Sequence, residues 1–456
     1  MNRPTLAVAG MSLLGMVLVM LAAGCEGWEP LSPEDMRPLE PTHAEPVAPN
    51  RALAVPQQRH GPQVGALVRE PVLRVRVVRG AESIRLPDRV GFEVGMVDGG
   101  GSLRVSRVLT GPLVIRRSSQ GITVVDGSGL STGLMGSKIG VRSANGQPVT
   151  LGTRSYPGLM TIAHAWRSEP SSDRLDAINH VPMETYLPGV LVGELYGNWE
   201  QATFRAQAIA ARSYAIFGAS TTAHRTYDLE STTASQVYTG QTSRERPLEA
   251  VAATRGQVLV YRGRVVPAFY SADSGGVAQS AWDAFGDVEP IAPLQGRLHY
   301  DIGASSPHAR WGPIDRSLQQ IAARIKGWGI AQDHAIGRMQ GIVRIAVTDR
   351  GVGGRASEFT VVDLQGTAYT LRAEQFRQAA NYARPDLPDL RSDERLKSSF
   401  VEVTVRGNRV AFTNGRGFGH GVGLSQWGAQ DMAERGYDHD EILAFYYPQA
   451  EIQRAY

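Results

Sequence analysis

The stretch GRGFGHGVGLSQWGAQ, residues 415–430, decides how the chain is interpreted, because glycine occupies every second position from Gly415 to Gly423. The spacing fits neither G-x-G-x-x-G nor the P-loop, so no motif supports a phosphate site. In an extended segment, this alternation leaves one face bare and turns His420 to the other face. A bare face lets a ligand or another backbone approach closely. We therefore predict a strand that either lines a site or packs in a sheet corner with a buried histidine.

A helix is predicted directly after this strand. Ser425 is a favourable N-cap residue, and Gly436 is a stop signal after the helical pattern of residues 426–435. The corner between strand and helix directs His420 and Gln426 toward a site or a packing partner.

A carboxylate earlier in the chain has the properties of a general acid. The segment METYLPGVLVGEL, residues 183–195, predicts a helix with Thr185 as its N-cap and Pro188 in its first turn. Glu194 then lies at the C-terminal end, where the helix dipole disfavours negative charge, among apolar neighbours. Both effects raise the pKa of its carboxyl group, which suits a proton donor. The alternative is a surface glutamate at a helix end.

Strands dominate the first part of the chain and helices join them later, so we predict an α+β fold with a β-rich N-terminal part. Short runs rich in Val and Ile, such as VLRVRVVRG and GITVVDG, alternate with Gly, Asp and Ser over residues 64–160. Residues 200–218 predict a helix with Ala206, Ala210 and Tyr214 on one stripe. Later helices are expected at SLQQIAARIKGWG and AEQFRQAANYA, and a hairpin at FVEVTVRGNRVAFTNGRG.

The N-terminus predicts export and tethering. Residues 1–25 contain an arginine, an apolar run and the sequence LAAGC, which is similar to a bacterial lipoprotein signal with Cys25 as the lipidated residue. A plain membrane anchor or an ordinary cleaved signal is the alternative. Residues 26–63 are rich in proline and acidic residues and predict a flexible linker.

Composition excludes several function classes. The formal net charge is +3 and lysine supplies only Lys138, Lys326 and Lys397 of the 47 basic residues, without Arg/Lys runs, so nucleic-acid binding is not expected. No histidine pair has H-E-x-x-H spacing, and a single cysteine allows neither a C-x-x-C motif nor an intramolecular disulfide. We expect no metal and no cofactor.

Two serine motifs are candidate nucleophiles. GLSTG, residues 129–133, fits G-x-S-x-G but precedes a glycine-rich segment rather than a helix, so a loop is predicted. DSGG around Ser274 is similar to a chymotrypsin-type motif, with His164 upstream in the expected order. However, Ala272 and Val277 stand where that motif has glycine and proline, and a protease is therefore disfavoured.

Taken together, several stretches resemble the SpoIID/LytB family of bacterial cell-wall proteins. The resemblance covers roughly residues 160–456 and defines a SpoIID-like catalytic region, which we delimit as 161–456. The matching stretches are NHVPMETYLPGVLVGEL, RAQAIAARSYA, YSADSGG, RLKSSFVEV and GRGFGHGVGLSQWGAQDMAERGYDHDEILAFYYP.

The resemblance implies a lytic transglycosylase that cleaves the MurNAc–GlcNAc bond of peptidoglycan strands, favouring strands stripped of stem peptides. It places the catalytic role on Glu194 and implies that Arg212 holds Glu194 or the sugar. Some members carry zinc on a histidine and a cysteine at the positions of Ser271 and Ser274, so zinc is not expected here. The remaining expected substrate-binding residues are Ser274, His420, Ser425 and Gln426.

Three hypotheses follow from the resemblance. The first is the transglycosylase, acting on glycan strands from the outer face of a membrane to which Cys25 anchors it. The second is a non-catalytic wall-binding module that enhances a cell-wall amidase. The third is an ordinary hydrolase that uses Asp273 or Glu200 as a second carboxylate.

Overall fold

The computed structural model describes residues 61–456 except 66–68, 99–100, 119, 134, 166–173, 287, 289, 300–301 and 304. The predicted signal with Cys25 and all but the last three residues of the predicted linker lie outside the described residues. Within them, the α+β fold is confirmed. No helix in the described ranges is long and apolar enough to cross a membrane.

The β-rich N-terminal part is organised around a seven-stranded sheet with the order β12-β1-β11-β10-β7-β3-β4. Its pairs are antiparallel except β1 with β12, which run parallel. The boundary predicted between residues 160 and 161 falls inside β10, so the two predicted regions share this sheet. The strands up to β12 are β1 (Val72–Ala81), β2 (Ser83–Leu86), β3 (Gly91–Val97), β4 (Leu103–Thr110), β5 (Leu113–Ser118), β6 (Gly121–Val125), β7 (Lys138–Ser143), β8 (Val149–Leu151), β9 (Arg154–Tyr156), β10 (Leu159–His164), β11 (Leu175–Pro182) and β12 (Leu229–Glu230).

Helix α2 connects two hydrophobic cores. Its residues Phe204 and Ala211 belong to the core under the large sheet, and Ile209 and Ala210 belong to a second core built with α7 and α8. An alanine-rich helix can be covered on both sides because small side chains allow close packing. The helices are α1 (Met183–Glu194), α2 (Gln201–Thr221), α3 (Glu245–Ala253), α4 (Ala281–Phe285), α5 (Leu318–Ala331), α6 (Ala373–Ala380), α7 (Gln426–Glu434) and α8 (His439–Tyr446).

Residues 314–413 form a smaller layer with a third core. Two three-stranded sheets, β18-β23-β22 and β19-β20-β21, pack there with α5 and α6. The strands after β12 are β13 (Gln257–Tyr261), β14 (Arg264–Val265), β15 (Tyr270–Ser271), β16 (Val277–Ala278), β17 (Arg297–Leu298), β18 (Ile314–Ser317), β19 (Arg344–Arg350), β20 (Ala356–Val362), β21 (Ala368–Arg372), β22 (Glu402–Arg406), β23 (Arg409–Thr413), β24 (Leu424–Ser425) and β25 (Glu451–Arg454).

Helix α1 begins earlier than predicted. It starts at Met183, directly after β11, and Thr185 does not cap it. Instead, the carboxylate of Glu70 accepts the backbone N–H of Glu184 at 2.9 Å and satisfies one of the free donors of the first turn. The chain passes from strand to helix without a turn, so the capping group comes from a distant segment. The helix ends at Glu194, as predicted.

Residues 415–423, which we call the glycine-rich turn, do not form the predicted strand. Gly417, Gly419, Gly421 and Gly423 all have positive φ, between 68° and 97°, and a strand, β24, begins only after them, at Leu424. A Cβ on Gly417 would lie 2.6 Å from the carbonyl oxygen of Asp273. Glycine is therefore required both by backbone conformation and by close contact with residues 269–275.

Arg355 fixes the glycine-rich turn from the smaller layer. Its fully buried guanidinium donates to the carbonyls of Ser274 at 2.8 Å, Val277 at 3.2 Å and His420 at 3.0 Å. Burying a guanidinium is costly unless its donors are satisfied, so these carbonyls hold the two loops together.

The contribution of the glycine-rich turn to stability is testable with two alanine substitutions. Gly423 has φ 68°, and a Cβ there would clash with the carbonyl oxygen of Phe269, whereas Gly436 has φ 92° and open space around it. We expect Gly423→Ala to lower the free energy of unfolding by about 3 kcal/mol and Gly436→Ala by only about 1 kcal/mol. Urea unfolding measures both. Equal losses would show that close contact does not constrain the turn.

Candidate active site

Glu194 lies at the end of α1, and both of its carboxylate oxygens accept hydrogen bonds. Oε1 accepts the backbone N–H of Val237 at 2.9 Å, and Oε2 accepts the side-chain amide of Gln426 at 3.1 Å. Val237 lies in the loop after β12, and Gln426 is the first residue of α7. Two of the residues selected from the sequence, Glu194 and Gln426, are therefore in direct contact.

Tyrosine side chains surround this carboxyl group. Tyr186 is fully buried on α1, and Tyr214 and Tyr270 approach from α2 and β15. Burial and then the charge of Glu194 raise the pKa of Tyr214 to about 12. Gln236 connects two of the rings, because its Oε1 accepts the Tyr186 hydroxyl at 3.1 Å and its Nε2 donates to the Tyr270 hydroxyl at 2.9 Å. The phenols are therefore neutral hydrogen-bonding groups at neutral pH.

Burial raises the pKa of Glu194, and the hydrogen bonds from Val237 and Gln426 lower it to a smaller extent. The direction agrees with the prediction from the sequence, because apolar surroundings disfavour the charged carboxylate. A carboxyl group of this kind can keep a proton closer to neutral pH and can donate it to a leaving group.

Ser425 joins the glycine-rich turn to α7. Its hydroxyl accepts the N–H of Gly428 at 3.3 Å, as the predicted N-cap, and also the N–H of Ser274 at 3.2 Å. Ser425 is buried, so its hydroxyl positions the start of α7, where Gln426 is.

Arg212 lies away from Glu194. Its guanidinium is fully buried and forms a two-point ion pair with Glu184, with Nε–Oε1 3.0 Å and Nη2–Oε2 2.8 Å. Burial opposes ionisation of Glu184, but Arg212 and the hydrogen bonds from Tyr456 and Gly256 lower its pKa on balance. The expectation that Arg212 holds Glu194 or the sugar is corrected: it anchors the start of α1, at the opposite end from the acid.

Ser274 and His420 are also engaged within the protein. Ser274 is 1% exposed, and its hydroxyl lies 2.6 Å from Nε2 of His299. Nδ1 of His420 accepts the N–H of Val422 at 3.0 Å, its ring packs on Phe285, and burial lowers its pKa to about 4. Both side chains support the glycine-rich turn through these contacts, and their substrate-binding roles remain predictions.

Comparisons with known proteins place this site within a region similar to a known family. A family model described as Stage II sporulation protein matches residues 171–261, which include Glu194 and Val237. The Stage II sporulation protein D of Bacillus subtilis is 25% identical over 299 residues, 61% of this chain and 76% of that protein. The resemblance to the SpoIID/LytB family is confirmed.

Two further relatives span comparable parts of this SpoIID/LytB-like chain. An uncharacterized protein of Brachyspira hyodysenteriae is 29% identical over 305 residues, 66% of this chain and 73% of the relative. The amidase enhancer of Bacillus subtilis is 27% identical over 292 residues, 58% of this chain but only 39% of that protein.

The residues at the zinc positions of the SpoIID/LytB family do not fit a zinc site here. Serine hydroxyls are not among the ligands that zinc prefers. The Ser271 hydroxyl accepts the N–H of Gly421 at 3.1 Å, and Ser274 pairs with His299. Across the described ranges, no group of three or more His, Cys, Asp or Glu side chains is arranged to hold a metal ion.

Several residues of the site carried no sequence signal. Val237 contributes only its backbone N–H, Gln236 lies in a loop without a motif, and Arg355 belongs to the smaller layer.

The hydrolase hypothesis named two candidates for a second carboxylate, Asp273 and Glu200, and their environments differ from that of Glu194. Asp273 is buried and its Oδ1 accepts the N–H of Gly275 at 2.7 Å, and Glu200 is exposed before α2.

The raised pKa of Glu194 predicts a pH-dependent stability. Below the ordinary glutamate pKa of 4.5, both the folded and unfolded states hold the proton. As the pH rises above it, the unfolded chain releases the proton first, so the wild type loses stability. Glutamine does not titrate, so Glu194→Gln does not lose this contribution to stability. We therefore expect the difference in the free energy of unfolding, variant minus wild type, to increase between about pH 4 and about pH 7 in urea titrations. A pH-independent difference would contradict the raised pKa.

The anchoring role of Arg212 is tested against a second arginine of α2. Arg212→Leu leaves Glu184 buried without its partner, so we expect the free energy of unfolding to fall by about 3 kcal/mol. Arg205 pairs with Glu249 at 3.0 Å, but both side chains are more than a third exposed, at 34% and 54%. Arg205→Leu is expected to cost less than about 1 kcal/mol. Similar losses for the two variants would contradict an anchoring role.

Proposed function

We propose that this protein is a peptidoglycan lytic transglycosylase that cleaves MurNAc–GlcNAc bonds of peptide-stripped glycan strands. The observation that carries the proposal is the carboxyl group of Glu194, which has a raised pKa and is held in place by Val237 and Gln426. It lies within the segment that the Stage II sporulation protein model matches. The names of the relatives in Bacillus support a role at the cell wall.

The chemistry requires one carboxyl group in two protonation states. Protonated Glu194 donates its proton to the glycosidic oxygen as the C1–O bond breaks and an oxocarbenium-like centre forms. The resulting carboxylate takes the proton of the C6 hydroxyl of the same MurNAc, whose oxygen then bonds to C1 and closes the 1,6-anhydro ring. Glu194 regains its proton, and no water is consumed. No second carboxylate is needed, unlike in most glycosidases.

The hydrogen bonds at Glu194 suit this cycle. Val237 and Gln426 donate to the two oxygens, so they stabilise the carboxylate that exists between the two proton transfers. The surrounding tyrosines stay neutral, because burial raises the pKa of Tyr186, Tyr214 and Tyr270.

A second function has independent support. One relative is named amidase enhancer, so we also consider a wall-binding module that stimulates a cell-wall amidase without cleaving glycan. For either function we propose export to the periplasm or cell wall and a lipid anchor at Cys25. Glycan strands are the proposed binding partner in both cases.

Product analysis of Glu194→Gln distinguishes these functions. With peptide-free glycan strands as substrate, we expect wild-type protein to release 1,6-anhydroMurNAc ends and Glu194→Gln to lose at least about 100-fold of that activity. Glu200→Gln, which changes an exposed glutamate near α2, is the matched control and should retain full activity. Mass spectrometry identifies the ends.

Three results would contradict a transglycosylase that uses Glu194 as its acid. Reducing ends instead of anhydro ends would indicate a hydrolase. Anhydro release that survives Glu194→Gln would place the acid elsewhere. Amidase stimulation that survives Glu194→Gln, without any glycan cleavage by the wild type, would select the enhancer.

A further inference from the structure

Four aromatic side chains follow one another from the acid to the surface, and we call them the aromatic row: Tyr196, Trp427, His308 and Phe418. The ring centroids of Tyr196 and Trp427 are 5.6 Å apart, those of Trp427 and His308 6.4 Å, and those of His308 and Phe418 4.9 Å. Each ring is therefore in contact with the next, and the row is continuous.

The row begins beside the candidate acid. Tyr196 follows Glu194 by two residues, and Trp427 is the residue after Gln426, whose amide holds the Glu194 carboxylate. Trp199 is buried behind both rings, at 5.2 Å and 5.1 Å, and keeps them in place. At the other end, Phe418 is 39% exposed.

An exposed phenylalanine in this position needs an explanation. Phe418 lies in the glycine-rich turn, where both neighbours are glycines with positive φ, and its backbone pairs with Asp273. The rigid backbone fixes the ring at the surface instead of letting it fold back onto the core. Aromatic rings presented in this way can stack on the apolar C–H face of a sugar ring.

A lysine lies at the exposed end of the row. The carbonyl of Lys397 accepts the N–H of Gly419, next to Phe418, at 2.8 Å. Burial and the charge of Lys397 lower the pKa of His308, while Asp273 opposes them. Among the described residues, no carboxylate forms an ion pair with the Lys397 ammonium. Asp273, the carboxylate near His308, is buried.

The chemistry of MurNAc matches this combination. Its lactyl group ends in a free carboxylate when the stem peptide has been removed and in a neutral amide when the peptide is present. A lysine ammonium attracts the carboxylate but not the amide. Aromatic rings do not distinguish the two forms, because both present the same sugar faces.

We propose that the aromatic row is the surface on which the glycan strand lies and that Lys397 selects peptide-free MurNAc by pairing with its lactyl carboxylate. The inference rests on the proposed function only for the identity of the strand. Binding by the row is independent of whether Glu194 cleaves what is bound.

Binding is measured in the full-length chain carrying Glu194→Gln, so that no cleavage occurs. The probes are fluorescent peptide-free glycan strands and the same strands with stem peptides. We expect Phe418→Ala to weaken the binding of both probes about tenfold. We expect Lys397→Met to weaken only the peptide-free strands, also about tenfold, and most strongly at low salt.

Two control variants match the substitutions in type. Tyr437→Ala removes an aromatic side chain that is 45% exposed after α7, and Lys326→Met removes a lysine of α5 in the smaller layer. Both are expected to bind the two probes like the parent. Equal losses in test and control variants would overturn the proposal, as would unchanged binding in Phe418→Ala and Lys397→Met.

The outcomes separate this inference from the proposed function. If the wild type releases no anhydro ends but binding depends on Phe418 and Lys397 as expected, the transglycosylase function is contradicted and the proposed binding surface is supported. If the wild type cleaves strands to anhydro ends while Lys397→Met keeps the preference for peptide-free probes, the selective role of Lys397 is contradicted and the transglycosylase function is supported.

Discussion

The close contact between the glycine-rich turn and residues 269–275 is the constraint on which the site depends. The two backbones approach so closely that no Cβ fits at Gly417 or Gly423. Arg355 then holds the carbonyls of both segments with a single buried guanidinium. Because only the two residues of β24 separate the turn from α7, this contact determines where the Gln426 amide lies. The acid therefore depends on a backbone arrangement that contributes no chemistry of its own.

Helix α1 is fixed at both ends by groups from distant segments. At its start, Glu70 accepts a backbone N–H and Arg212 pairs with Glu184 in a buried ion pair. At its end, Val237 and Gln426 hold the Glu194 carboxylate. A helix of twelve residues has little stability alone, so its position comes from tertiary contacts. Arg212 contributes to the acid by orienting the helix, not by touching the carboxylate.

The sequence predicts the periodic elements well and the long-range contacts poorly. Strands β1 and β6, helices α2, α5 and α6, and the hairpin of β22 and β23 follow from the residue patterns of the sequence. The strand predicted at 415–423 is wrong because alternating glycine looks extended in sequence, whereas the sign of φ is visible only in the structure. Apolar neighbours and the resemblance together indicated Glu194. Partners such as Val237 and Arg355 could not be predicted, because a backbone N–H and a carbonyl clamp leave no trace in residue type.

The two hydrogen bonds at Glu194 explain how one carboxyl group can serve as both acid and base. Burial favours the protonated form of Glu194 and therefore disfavours the carboxylate that must form after proton transfer. Donors to both oxygens oppose this effect, yet burial still prevails and the pKa is raised. The two protonation states are thereby brought closer in free energy, which reduces the cost of passing from one to the other and back. Val237 donates its hydrogen bond from the backbone, so of these two hydrogen bonds only the one from Gln426 can be removed by a side-chain substitution. The glycine-rich turn, by fixing Gln426, positions the side-chain hydrogen bond that partly offsets burial at Glu194.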